Sequence, residues 1–80
     1  MALHPTPTTR DFERADRLVG VLNEAGISLI AYEMHGSTVI FHCEDMAQAR
    51  AALIAVTRRG FGIRARAQKH HGVPSLIIRP

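Results

Sequence analysis

Apolar residues recur along this chain with two different periods, and the same succession of periods occurs twice. Over residues 11–25 they fall three and four positions apart, at Phe12, Ala15, Leu18, Val19 and Leu22, the spacing of one helix face. Thr8 or Thr9 caps this predicted helix, Asp11 and Glu13 put negative charge in its first turn, and Gly26 ends it. A second helix is predicted over residues 46–59, with Met46, Ala49, Leu53 and Val56 as its stripe. Asp45 is its N-cap, Gln48 completes a capping box, Arg58 and Arg59 sit at the negative end of the helix dipole, and Gly60 stops it.

Gly26 and Gly60 lie 34 positions apart. With that offset Ala15 meets Ala49, Val19 meets Leu53, Leu22 meets Val56, Leu29 meets Ile63 and Ala31 meets Ala65. Past the following turn the offset grows to 37, and Val39-Ile40-Phe41-His42 meets Leu76-Ile77-Ile78-Arg79. Self-similarity of this kind speaks for architecture rather than activity.

Each glycine stop is followed by two short stretches of strand-like alternation, 27–33 with 38–43 and 61–68 with 74–79. The connecting segments, 34–37 and 69–73, each hold a glycine, as hairpin loops require. In the third strand Ile63, Ala65 and Ala67 point one way and Arg64, Arg66 and Gln68 the other. By the repeat, Ile27, Leu29 and Ala31 face inward, Ile30 and Tyr32 outward, and Val39, Phe41, Leu76 and Ile78 complete the core. The order αββαββ predicts an α+β fold built as a tandem αββ repeat, with units 9–43 and 44–80. Its connectivity is that of a circularly permuted ferredoxin-like sandwich, with two helices on one face of a four-stranded antiparallel sheet and the second and fourth strands central. Residues 1–8, with two prolines and no periodicity, read as a loose tail ahead of this single domain.

Composition narrows the class. Eighty residues suffice for one core. The longest apolar run is far below the ~20 residues of a membrane helix, and no signal-peptide core is visible. A single cysteine, Cys43, excludes an internal disulfide framework and fits a reducing cytosol. Charge is unevenly spread: residues 1–43 carry net −2 and residues 44–80 net +5, together the +3 of the chain. Arg58, Arg59, Arg64, Arg66, Lys69 and Arg79 account for most of the basic half and point to an anionic partner.

On the outer sheet face the same alternation displays Ile30, Tyr32, Ile40, His42, Arg64, Arg66, Ile77 and Arg79. Three isoleucines and a tyrosine facing water would form an apolar patch that calls for a partner. These eight residues are therefore the expected partner-binding set. They suit a protein interface, most simply that of a homodimer through the sheet face or an edge strand.

No catalytic constellation is legible. There is no Ser–His–Asp or Cys–His–Asn order, no facing pair of carboxylates and no glycine-rich phosphate loop. His42 and Cys43 are adjacent strand residues on opposite faces, so the thiol is expected buried rather than activated. His42, Cys43, His70 and His71 converge toward one sheet end and are the best metal-ligand candidates, but their spacing matches no metal motif. No metal or other cofactor is expected. His35 is expected at the opposite end of the sheet.

The sequence thus reads as a small non-enzymatic binding protein, a regulator or inhibitor of a larger complex. In size and style it is similar to the regulators encoded by bacteria, phages and mobile elements, anti-CRISPR inhibitors among them. The alternative is a nucleic-acid-binding module using Arg64, Arg66, Arg79 and Tyr32, and a third class is a small-molecule sensor or metal binder.

Overall fold

The computed structural model describes residues 6–61 and 64–80. The elements follow in the order α1 (Thr9–Glu24), β1 (Leu29–His35), β2 (Thr38–Cys43), α2 (Met46–Arg58), β3 (Ala65–His70) and β4 (Val73–Ile78). Expected strand residue Ile63 and the neighbouring Gly62 lie outside the described residues, as do residues 1–5 of the tail.

Both helices begin and end by the same local chemistry. The Thr8 hydroxyl accepts from the Asp11 N–H at 3.2 Å, and the Asp11 carboxylate accepts from the Thr8 N–H at 2.8 Å, closing a capping box. Asp45 caps α2 through the Gln48 N–H at 2.8 Å. The reciprocal half of that box is not made. The Gln48 side-chain oxygen accepts instead from the Ser28 N–H at 3.4 Å, tying α2 to the approach to β1.

At the other ends, the Gly26 N–H donates to Asn23 O and the Ile27 N–H to Leu22 O. The Gly60 N–H donates to Thr57 O and the Phe61 N–H to Val56 O in the same way. These are two Schellman motifs, with Gly26 at φ 78° and Gly60 at φ 82° in the left-handed position each motif needs.

The four strands form one antiparallel sheet in the order β1-β2-β4-β3, so β2 and β4 are central, as alternation and loop length predict. Ala15, Leu18, Val21 and Leu22 of α1 and Ala52 and Val56 of α2 bury against Val39, Phe41, Leu76 and Ile78 of the central strands. Each large side chain buried there contributes about 1.5–3 kcal/mol. Phe12, expected in the α1 stripe, is instead exposed, and Val21 takes its share of the core.

One irregularity changes the faces of β1. Leu29 pairs with Cys43 and Ala31 with His42, so one extra residue, Ile30, is accommodated between them. A single inserted residue exchanges the faces of everything beyond it. Tyr32 therefore stands opposite Phe41 on the helix side, with ring centroids 5.6 Å apart, and not on the outer face with Arg64 and Arg66 as expected. Ala31 moves outward, and Glu33 and His35 follow it.

A second correction concerns the sheet centre. Ile40 and Ile77 do face away from the helices, yet they are only 4% and 6% exposed. They pair with each other across the two central strands, and Glu33 and Arg66 stand on either side of them in the same cross-strand row. Long charged side chains cover apolar neighbours with their methylene stems. The expected apolar patch is thereby closed over at its middle, and Ile30, 66% exposed, is left at the β1 edge.

Candidate functional site

The outer face divides into a basic half and a histidine–carboxylate half. On the basic side, Arg66 lies beside Ile77 in register, and the Arg79 N–H donates to Arg64 O where β3 meets the end of β4. Arg64, Ala65, Arg66, Ile77 and Arg79 line a cavity of about 240 Å³. Arg64 Nη1 donates to Pro80 O at 3.3 Å. Among the described residues no Asp or Glu side chain pairs with Arg64, Arg66 or Arg79; the Arg ion pair that does form is between Arg59 and Glu24 at 3.2 Å. Three arginines lining one cavity with Ile77, none paired to an Asp or Glu side chain, make a place for an anionic group.

The other half is centred on Glu33. Its Oε1 lies 3.0 Å from His70 Nε2 and 3.6 Å from His42 Nε2, and its Oε2 lies 3.7 Å from His35 Nε2. His42 is held from behind: its Nδ1 is 3.2 Å from Ser75 Oγ, and that hydroxyl donates to Val73 O at 2.9 Å. His70 is the last residue of β3, followed by a two-residue turn in which His71 (φ 50°) and Gly72 (φ 80°) are both left-handed. A primed hairpin turn has this requirement, and it reverses the chain immediately after His70.

This grouping differs from the one expected from sequence. His42 and His70 come together, but Cys43 does not join them. It is buried on the helix side, its Sγ 3.9 Å from Phe41 O, and burial, followed by the charge of Asp45, pushes the thiol above its usual value. Desolvation disfavours the thiolate that metal binding or nucleophilic attack would need. His71 packs its ring on His70 at 4.3 Å, and its ring is not among those placed against Glu33. His35, expected at the far end, stands with its ring 6.4 Å from that of His70.

Of the expected partner-binding residues, Arg64, Arg66, Ile77 and Arg79 meet in the cavity, with Ile40 beside Ile77 and His42 across from Ser75. Ile30 and Tyr32 lie apart from them at the β1 edge and on the helix side. Glu33 is the residue that sequence reasoning missed. Strict alternation from Leu29 and Ala31 would aim its carboxylate beneath the helices, and that implausible placement is itself the cue for a bulge.

Compared with known proteins, the chain matches no family model, no curated protein and no solved structure.

Proposed function

We propose that the protein is a non-enzymatic binding module whose outer sheet face docks an acidic surface of a protein partner. The observation that carries this reading is the meeting of Arg64, Arg66 and Arg79 around a cavity that Ile77 also lines, with no Asp or Glu side chain paired to any of them among the described residues. Arginine beside an apolar side chain is the composition that protein interfaces favour. A volume of about 240 Å³ is below the ~300 Å³ where enclosed small-molecule pockets begin, which argues against a sensor of small ligands. Such a module acts as a cytosolic regulator or inhibitor of a larger complex, of the kind phages and mobile elements encode.

Self-association is supported at the β1 edge, where Ile30 is exposed, rather than at Ile40 and Ile77, which are already covered. We also read the chain as a duplicated αββ unit with permuted ferredoxin-like connectivity, an interpretation supported by the two matching Schellman ends and the central β2–β4 pair.

Nucleic acid is the second reading, and the same arginines support it. The position of Tyr32 counts against it. With that ring turned toward Phe41, the outer face offers no Phe, Tyr or Trp for stacking bases among the described residues. Anisotropy titrations at physiological ionic strength, with an Asp/Glu-rich peptide and with an oligonucleotide, separate the two. The peptide should bind, more weakly once Arg66→Glu is introduced. Submicromolar oligonucleotide binding lost in that variant would favour nucleic acid instead, and binding of neither probe would remove the case for the arginine cavity.

A further inference from the structure

We propose that Glu33, His35, His42 and His70 bind one zinc-type divalent cation on the outer sheet face. The inference is independent of the partner reading above, since it uses none of the arginines.

Three observations lead to it. The first is convergence. Three imidazole Nε2 atoms, carried by β1, β2 and β3, stand 3.0, 3.6 and 3.7 Å from the two oxygens of one carboxylate. Ligand atoms of Glu33, His35 and His70 all lie within 4.8 Å of one another. Donor atoms on a tetrahedron with bonds of about 2.0–2.1 Å are separated by about 3.4 Å. The observed Glu–His separations straddle that value; Glu33, His35 and His70 already form a compact set, and His42, whose Nε2 is placed against Glu33 alone, joins them by a larger side-chain rotation.

The second is the direction of the His42 ring. The Ser75 hydroxyl spends its one hydrogen on Val73 O and can only accept from His42, so the hydrogen-bond network assigns the hydrogen to Nδ1. In the neutral ring the Nε2 lone pair then points toward Glu33 Oε1 at 3.6 Å, lone pair against lone pair. A shared cation between the two atoms turns that opposition into coordination. An imidazole held through its other nitrogen by a hydroxyl is also how ligand histidines are oriented in metal sites.

The third is the donor type. Imidazole nitrogens with a single carboxylate select zinc and its borderline neighbours over magnesium or calcium, which take oxygen-rich sets. Such a cation would join β1, one edge of the sheet, to β3, the other edge, and so would add to the stability of the fold.

The test is titration of the full chain with zinc sulfate, followed by calorimetry and by thermal melting, with cobalt(II) as an optical probe. Saturable binding of one ion per chain, a rise in Tm, and the intense visible absorption of tetrahedral cobalt(II) are expected. Glu33→Gln and His70→Asn should each weaken the affinity by ~10–100-fold or more, and Ser75→Ala, a positioning change, by about 10-fold. His71→Asn and His4→Asn, which alter the other two histidines, should bind as the unaltered chain does. The proposal is overturned if no saturable binding occurs, if cobalt(II) gives only the faint spectrum of the aqueous ion, or if folded Glu33→Gln and His70→Asn bind as tightly as the unaltered protein. Should those variants lose their helical spectrum, the cobalt(II) spectrum of the unaltered chain decides alone.

Discussion

The Nε2 atom of His70 lies 3.0 Å from Oε1 of Glu33, although the two residues belong to β3 and β1, the opposite edges of the sheet. Three interstrand spacings separate those edges, about 14 Å across a flat sheet. Glu33 stands in the cross-strand row of Ile40, Ile77 and Arg66, so its contact with His70, at the far end of β3, runs diagonally over the outer face, as the twist of a sheet allows. The helix-free side of the sheet thus carries a carboxylate with three imidazoles and, apart from them, three arginines lining a cavity.

The helix ends give the cleanest stability test. A Cβ built on Gly26 or Gly60 meets nothing within 4 Å, so the cost of Ala at either position comes from its positive φ alone. Gly26→Ala and Gly60→Ala should each lose about 1 kcal/mol in a urea melt. An unchanged midpoint in either variant would mean that its Schellman turn does not hold the helix end.

Ile40 and Ile77 are predicted to behave as interior residues. At 4% and 6% exposure, truncation of either to Ala should destabilise the protein by about 2–5 kcal/mol, read from chemical denaturation. Replacing both with Lys should unfold it. A double-Lys variant that keeps its helical spectrum would show that these side chains stand open on the surface.

These two tests also mark where the sequence could be read and where it could not. Caps and stops are local chemistry, so Thr8, Asp45, Gly26 and Gly60 were legible from residue type and the end of an apolar stripe. The sheet order followed from two short hairpins and the central pair they imply. The bulge at Ile30 is marked in the sequence only by the inward placement that strict alternation gives Glu33, because the apolar run Leu29–Tyr32 conceals which faces Tyr32, Glu33 and His35 take. Burial of Ile40 and Ile77 depends on which side chains flank them across strands, a property of register. The meeting of Glu33 with His70 joins side chains from opposite edges of the sheet, which no local spacing encodes.

For Cys43 the sign of the pH dependence is fixed by burial. The folded thiol titrates above its ordinary value of 9.0, raised first by desolvation and then by the Asp45 charge. Its contribution to stability is complete below 9.0 and is lost as pH rises through the folded value. Alkylation by iodoacetamide at about pH 8 should be slow in the native protein and fast in denaturant, by mass spectrometry. Rapid native labelling would contradict the buried position.

The central claim is that the arginine cavity, and not an apolar sheet centre, engages the partner. It is tested most directly by paired affinity capture from the native host, using the unaltered chain and an Arg64→Glu, Arg66→Glu, Arg79→Glu variant of matching circular dichroism. The account predicts a protein recovered by the unaltered chain in the presence of nuclease and lost with the variant. Recovery of the same protein by both baits, or a capture that vanishes on nuclease treatment, would contradict it.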